Sequence, residues 1–324
     1  MERRNSNFDI VRAVAIFMVI CIHSLGLVND ALATGDEEAR MTNAAMTIVY
    51  GGVPLFVMLS GALLLGKEES IGVFFRKRVG RVLWPFLFWS VIVCAILYWQ
   101  EGGRSLSGYA TSLFTGLVTG GVHGIYWYVY MIIGLYLVTP FLRKIVHHSD
   151  NGYLYYLIGL LLSIITVSKY FPDVELFSRW NSANVEMLAY FVIGYAIVEY
   201  FKTHQISTNG VFGCFTVLYL LHAVSVYFHW SIPLLEMALY ISLFCVLMKV
   251  RLPVKIQSGG GKISQMSYGI YLSHFMLVSA FLKFGIFQKL PLCIEPLVMA
   301  FSVLVATMLM LQVMEIFHIK KFIM

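Results

Sequence analysis

The sequence predicts an all-α polytopic membrane protein with about ten transmembrane helices. Hydrophobic residues make up 59% of the 324 residues and charged residues only 12%, whereas an ordinary soluble domain carries about 25% charged residues. The mean hydropathy is +0.79, and a single soluble core of this size could not bury so much apolar surface. The bilayer must therefore solvate much of the chain, and the composition excludes disordered, collagen-like, coiled-coil and disulfide-stapled secreted proteins.

Ten apolar runs come close to the roughly 20 residues that a helix needs to cross the bilayer. They are Phe8–Leu27, Ala44–Leu65, Val82–Tyr98, Ile125–Leu142, Tyr153–Ser168, Val185–Tyr200, Gly210–Phe228, Ile232–Met248, Ser264–Leu282 and Ile294–Phe317. No small-residue cleavage pattern closes the first run, so we expect it to be retained as a membrane span. The polar segments between the runs are too short to fold alone, which predicts one transmembrane domain over residues 1–324.

The distribution of Lys and Arg predicts that both termini are cytoplasmic, because basic residues accumulate on that side of the membrane. With the N-terminus inside, the cytoplasmic segments hold 16 of them: Arg3, Arg4, Lys67, Arg76, Lys77, Arg78, Arg81, Arg143, Lys144, Lys202, Lys249, Arg251, Lys255, Lys262, Lys320 and Lys321. The opposite side holds Arg40, Arg104, Lys169, Arg179, Lys283 and Lys289. The net charge of +6 thus reflects topology, and we expect no nucleic-acid partner.

The stretch Leu106–Val118 is apolar but short and rich in Ser, Thr and Gly. We expect an interfacial or re-entrant segment there, since a crossing needs a longer apolar run. An eleventh crossing would reverse the orientation of every later loop and place the basic segment Lys249–Lys262 outside.

Three ionisable residues interrupt the first apolar run: Asp9, Arg12 and His23. A charge within a span costs about 2.5–3.5 kcal/mol on insertion scales, so such residues are candidates for function. Arg12 and His23 are 11 residues apart, which places both on one helical face about 16 Å from each other. Arg12 alone is typical of a snorkelling anchor, and His23 alone of a satisfied packing histidine. Their alignment favours a functional role.

Four cations, Arg76, Lys77, Arg78 and Arg81, precede the third predicted span. They are sufficient as a topology signal, but Arg78 and Arg81 fall on one helical face, an arrangement suited to binding phosphates. Further along, Ser267, Tyr271 and His274 follow an i, i+4, i+7 pattern. That pattern predicts one polar stripe facing the interior of the bundle.

Other motifs carry weaker signals. His123, Trp127 and Tyr128 form an aromatic segment that is typical of a membrane interface and also suits a sugar site. Ser258–Lys262 lacks the full phosphate-loop pattern, so we interpret it as a flexible linker. The five cysteines lie in or beside apolar runs and are interpreted as buried thiols. Glu186, Glu236 and Glu315 are candidates for proton relays or interhelical hydrogen bonds, while the adjacent His147 and His148 make a poor metal site.

Taken in order, these motifs resemble acyltransferase family 3. The resemblance rests on Arg12 and His23, the run Gly52–Gly61 (GVPLFVMLSG), the R-x-x-R pair Arg78 and Arg81, the pair Trp127 and Tyr128, and Ser267–His274 (SYGIYLSH). It implies transfer of an acyl group, usually acetyl from acetyl-CoA, to an extracytoplasmic acceptor. The acceptor is commonly a sugar hydroxyl of a surface polysaccharide or a lipid-linked sugar, and the location a bacterial cytoplasmic membrane.

The resemblance also implies roles for individual residues. Arg78 and Arg81, helped by Arg76 and Lys77, would hold the phosphates of coenzyme A. The pantetheine arm would pass Arg12 and present the thioester near His23, with His123, Trp127 and Tyr128 around the acceptor. His23 would act as general base or form an acyl-histidine, while Tyr271 and His274 would donate hydrogen bonds to the oxyanion or the acceptor. No metal is expected, and a homo-oligomer remains open.

Two other classes are compatible with the same residues. A transporter or exporter of a glycan or an amino acid would use intramembrane His and Glu residues to relay protons. Inverted repeats with paired broken helices would indicate that class, and the sequence has none. A non-catalytic membrane scaffold would leave the alignment of Arg12 and His23 without a purpose.

Overall fold

The computed structural model describes residues 6–120, 122–148, 151–171, 182–230, 232–317 and 319–324. The described residues form helices and connecting turns without a β-strand. The helices are α1 (Ser6–Ser24), α2 (Gly26–Ala33), α3 (Glu37–Met46), α4 (Gly52–Leu64), α5 (Ile71–Gln100), α6 (Leu106–Thr119), α7 (Trp127–His148), α8 (Asn151–Tyr170), α9 (Ser182–Thr203), α10 (Thr208–Tyr227), α11 (Pro233–Lys249), α12 (Val254–Lys283), α13 (Glu295–Ile316) and α14 (Lys320–Ile323). Two 3₁₀ segments cover Thr47–Gly51 and Gly124–Tyr126. The predicted topology residues Arg3, Arg4 and Arg179 lie outside the described residues.

Eight stretches of the described chain are long and apolar enough to cross a membrane. They confirm the predicted all-α polytopic membrane fold. A helix also occupies each of the ten predicted spans. Helices α11 and α12 occupy the two predicted spans that are not among these eight stretches. Helix α11 has only 17 residues, and the first half of α12 carries Lys, Gln, Ser and Gly.

Helices α1 and α12 lie side by side and run in the same direction. Near the start of α1 and within the first half of α12, Ser264 donates a hydrogen bond to Asp9 Oδ1 at 2.7 Å and accepts one from Arg12 Nη1 at 3.2 Å. Ten residues later on α12, the ring of His274 lies against that of His23. The predicted topology requires this parallel direction because seven spans separate the two helices. A further crossing at α6 would make them antiparallel.

Helix α6 turns back along α5. The Tyr109 hydroxyl donates to Val91 O at 2.9 Å, and Leu117 O accepts from the Tyr130 hydroxyl at 2.7 Å. Tyr130 also packs edge-on against Phe86, near the start of the third predicted span. The 14 residues of α6 rise only about 21 Å, which is less than the roughly 30 Å hydrocarbon core. This geometry agrees with the predicted re-entrant segment.

The segment Ser258–Lys262, expected to be a flexible linker, is instead part of helix α12. Its three glycines would weaken an isolated helix. Packing against α1 supplies the missing stability: a side chain at Gly260 would meet Ile10 Cδ1 at 2.6 Å. A Cβ there would require the end of the Ile10 side chain to move, and the close approach of α1 stabilises the helix around the glycines.

The interpretation of all five cysteines as buried thiols is correct for Cys21 and Cys94 and wrong for Cys214 and Cys293, which are exposed; Cys245 is half-buried. Helix α10, which carries Cys214, has few buried residues. In a membrane protein an outward apolar face contacts lipid, so burial by protein is not required of a small hydrophobic side chain.

Candidate active site

Three histidines lie close together at one end of the α1–α12 pair, and two of them pack against the ring of Phe275. His23 occupies the last turn of α1, and its ring centroid lies 5.2 Å from that of His274 and 5.7 Å from that of Phe275. The ring of His123, just before α7, lies 4.2 Å from Phe275. The structure therefore brings His23, His123 and His274, which the sequence singled out separately, into one cluster.

The contacts of His274 define which of its nitrogens carries the proton. Nδ1 lies 2.8 Å from Tyr271 O and 3.1 Å from Ile270 O, and a carbonyl oxygen only accepts, so Nδ1 must donate. In the neutral ring Nε2 is then a lone-pair acceptor. Nε2 is buried and has no hydrogen-bond partner among the described residues. His274 is thus prepared to accept a hydrogen bond at this cluster, whereas the sequence analysis expected it to donate one.

Two reciprocal hydrogen bonds join α12 to the start of α7. The Tyr271 hydroxyl donates to Ile125 O, and the Tyr126 hydroxyl donates to Leu272 O at 3.0 Å. They bring the ring of Tyr128 within 5.2 Å of that of Tyr271. Trp127 is exposed, and its ring lies in a T-shaped arrangement with that of Tyr128.

A cavity of about 510 Å³, here called the central cavity, runs between α1, α4, α7 and α12. Arg12 and Arg81 line it at one end, and Tyr128 and Tyr271 at the other. His23 does not line it; the cavity reaches Val19, one helical turn before His23 on the same face of α1. Tyr271 thus separates the central cavity from the histidine cluster, because its ring lies 6.2 Å from that of His274.

A larger cavity of about 1210 Å³, here called the basic cavity, adjoins the central one. The two share Arg12, Arg81 and Gln265 as lining residues. The cations of the basic cavity come from five segments of the chain and are Arg12, Lys67, Arg81, Lys202 and Lys249. Asp9 and Glu199 are its acidic lining residues. The site therefore combines a larger cavity lined by cations, a smaller cavity that adjoins it and a histidine cluster next to Tyr271.

The basic cluster that precedes the third predicted span divides into two groups with different contacts. Arg78 is buried and forms an ion pair with Glu69 at 3.0 Å, which also binds Lys77 and Arg143. The guanidinium groups of Arg78 and Arg143 both lie over the ring of Phe74. Neither Arg78 nor Lys77 lines the central or basic cavity, whereas Arg81 lines both. Arg76 is exposed on the same helix.

Glu69 explains why Arg78 turns away from the cavities. Burial raises the pKa of the Glu69 carboxyl, but hydrogen bonds from Lys77 and Arg143 and the charge of Arg78 outweigh it, and the pKa falls to about 2. Arg143 also donates twice to Leu64 O, at 2.9 and 2.8 Å, closing the end of α4. The cluster around Glu69 therefore ties α4, α5 and α7 together.

Sequence reasoning missed Lys202, Lys249 and Gln265 as cavity residues and assigned Ser264 no role. Their only signal was charge or polarity near a predicted span, which many topology residues share. Ser264, however, extends the stripe of Ser267, Tyr271 and His274 by one turn towards the start of α12. That extension could have identified it as the partner of Asp9 and Arg12.

Residues 5–312 match the model of a family described as an acyltransferase domain. The match includes the paired helices, both cavities and the histidine cluster. No curated protein and no solved structure matches the chain.

Proposed function

The chain belongs to acyltransferase family 3, and we propose that it transfers an acetyl group from cytosolic acetyl-CoA to a hydroxyl of an extracytoplasmic glycan or lipid-linked sugar. The protein would be located in a bacterial cytoplasmic membrane. One observation carries this proposal: two cavities with shared lining residues lead from the cations of the basic cavity to within one helical turn of the His23–His274 pair. A path of this kind suits a long donor with phosphates at one end and a thioester at the other.

The donor would bind with its nucleotide in the basic cavity. Lys67, Arg81, Lys202 and Lys249 provide positive charge from four segments, and phosphate groups accept hydrogen bonds from both lysine and arginine. The slender pantetheine arm would then occupy the central cavity beside α1. Arg12, held by Ser264, lies where the two cavities join and would orient the arm.

The thioester must pass Tyr271 to reach His23. In the structure the Tyr271 hydroxyl donates to Ile125 O, so this side chain would have to rearrange before the thioester could pass. We propose that the incoming thioester carbonyl takes the place of Ile125 O as the acceptor of this hydroxyl. Tyr271 would then donate to the oxygen on which negative charge develops, which is the geometry that stabilises such a transition state.

His23 would act as the general base. It takes the proton from the acceptor hydroxyl while the hydroxyl oxygen attacks the thioester carbonyl carbon. The new C–O bond forms and the C–S bond breaks, and the coenzyme A thiolate leaves and receives the proton from His23. His274 Nε2 would accept a hydrogen bond from the other nitrogen of His23, which holds the imidazole in the tautomer that a base requires.

A second chemical route places the acyl group on His23 before the acceptor arrives. The two routes differ in what forms without acceptor. Incubation with acetyl-CoA alone, followed by peptide mass spectrometry, would show an acetyl adduct at His23 only if the covalent route operates.

The proposal is tested with purified protein in sealed vesicles. Acetyl-CoA is supplied on the side of Lys202 and Lys249, and release of the free coenzyme A thiol is followed together with acetylation of oligosaccharides on the other side. We expect both signals to require the protein and both to depend on His23. Binding of coenzyme A without any acyl transfer to a panel of glycan acceptors would overturn the assignment of the acceptor class, and absence of coenzyme A binding would overturn that of the donor.

A further inference from the structure

A second polar cavity, here called the outer cavity, lies apart from the donor path. It has a volume of about 490 Å³ and lies between the 3₁₀ segment Thr47–Gly51 and helices α8, α10 and α11. It shares no lining residue with the central or basic cavity. Its lining residues Lys169 and Trp230 belong to segments that the charge distribution places outside the cell. The outer cavity is therefore open to ligands on the side opposite to coenzyme A.

The walls of the outer cavity combine hydrogen-bond acceptors with donors. Glu236 accepts from the Tyr240 hydroxyl through Oε1 at 3.0 Å, while its Oε2 has no hydrogen-bond partner among the described residues. Lys169 lines the cavity and is paired with Glu186 at 2.8 Å. The Asn43 amide, also in the wall, supplies both a donor and an acceptor.

His222 adds a buried acceptor or donor to this wall. Its side chain is only 7% exposed, yet the residue lines the outer cavity. The Ser225 hydroxyl lies 3.3 Å from Nδ1 and donates to His222 O at 2.8 Å. Because His222 lines the cavity, its imidazole can offer a ligand a hydrogen-bond donor or acceptor.

Two aromatic side chains complete the cavity. Trp230 is 60% exposed and Tyr50 is exposed beside it in the lining. Trp230 follows His229, which has a left-handed backbone with φ of 57°, a conformation that is unfavourable for residues other than glycine. The turn is fixed by the Trp230 N–H, which donates to Ser225 O at 2.7 Å. The left-handed conformation of His229 thus places the indole of Trp230 in the lining of a polar cavity.

The mixture of groups discriminates between ligand classes. Glu236 would repel a phosphate, whereas a sugar hydroxyl both donates and accepts and can therefore pair with Glu236, the Asn43 amide or His222. Exposed aromatic faces pack well against the apolar face of a sugar ring. We propose that the outer cavity is a carbohydrate-binding site that holds one sugar ring. Binding of a sugar in the outer cavity does not depend on the proposed function. Only the role of that sugar as part of the acceptor glycan rests on it.

The experiment measures binding of methyl glycosides of glucose, galactose and N-acetylglucosamine to the full chain by saturation-transfer NMR. The protein is kept in a detergent without a sugar headgroup, because maltosides would occupy the site. We expect the wild type to bind at least one glycoside. Glu236→Ala should weaken binding about tenfold or more, because it removes a charged hydrogen-bond acceptor. Trp230→Ala should weaken it about tenfold, because it removes the ring that packs against the sugar.

Two matched controls keep the test specific. Trp99 is 58% exposed at the end of α5, and Glu38 is exposed on α3; Trp99→Ala and Glu38→Ala should bind as the wild type does. The proposal is overturned if no glycoside binds, or if the outer-cavity variants bind as well as their controls while keeping the wild-type melting temperature. Thiol release from acetyl-CoA is measured separately, so glycoside binding without acyl transfer would contradict the proposed function and leave this site standing.

Discussion

His23 and His274 lie with their ring centroids 5.2 Å apart although 251 positions separate them in the chain. The parallel packing of α1 on α12 produces this pairing, because both helices carry their polar residues on the shared face. The same packing ties Asp9 and Arg12 to Ser264 at the other end. One helix pair therefore determines both ends of the donor path.

Replacement of His23 tests the base. We expect His23→Ala to reduce acetyl transfer by about 10²–10⁴-fold, the range typical of a general base, and to leave binding of coenzyme A unchanged because His23 does not line either donor cavity. His204→Ala removes a histidine that lies outside both cavities, stacked on Tyr200, and should keep full activity. Retention of most of the transfer activity by His23→Ala would reject its role as base.

His274 is expected to act through His23, as a positioning residue. Its Nδ1 donates to backbone, so only the acceptor at Nε2 faces the cluster. We expect His274→Leu to lower kcat about tenfold or more with little change in the KM for acetyl-CoA, since lost orientation affects the transition state. His274→Gln restores an acceptor near the position of Nε2 and should recover part of the rate. Equal loss in both variants would instead indicate a packing role.

Arg78 and Arg81 are expected to behave differently, although the sequence places them on one face. Arg81→Ala should weaken coenzyme A binding about 10-fold to 100-fold, because a hydrogen bond between charged groups contributes about 1.5–3 kcal/mol. Arg78→Ala should mainly lower the melting temperature, since it removes one of the two buried arginines that pair with Glu69. Arg76→Ala removes an exposed charge and is the control for general electrostatics. Equilibrium dialysis with coenzyme A and thermal unfolding separate these effects.

Much of this arrangement could be predicted from the sequence because helical periodicity and membrane length are local properties. The shared face of Arg12 and His23 and the polar stripe of α12 both follow from spacing alone. The different contacts of Arg78 and Arg81 could not be predicted from spacing. They depend on Glu69, which lies beside Arg78 because α5 begins as early as Ile71. The outer cavity was also beyond sequence reasoning, because distant segments contribute its lining.

The low pKa of Glu69 predicts a pH-dependent contribution to stability. A carboxyl whose pKa is lowered to about 2 in the folded chain stabilises it fully above the ordinary pKa of about 4.5, and this contribution is lost as the pH falls from there towards 2. Glu69→Gln should therefore lower the melting temperature by a few degrees at neutral pH, with the difference shrinking below about pH 4. Glu68→Gln, next to it and highly exposed, should change little at any pH.

Helices α4 and α9 meet through reciprocal glycines, and this contact predicts the last set of variants. A Cβ at Gly61 would overlap Phe191 O, and one at Gly194 would overlap Met58 O. A side chain at either position would therefore push the two helices apart. We expect Gly61→Ala and Gly194→Ala each to lower the melting temperature clearly, since close approach of small residues is what holds membrane helices together. Gly213 is also helical but has open space around it; there alanine should be neutral or stabilise by up to about 1 kcal/mol. A similar melting temperature for all three variants would show that α4 and α9 do not depend on this contact.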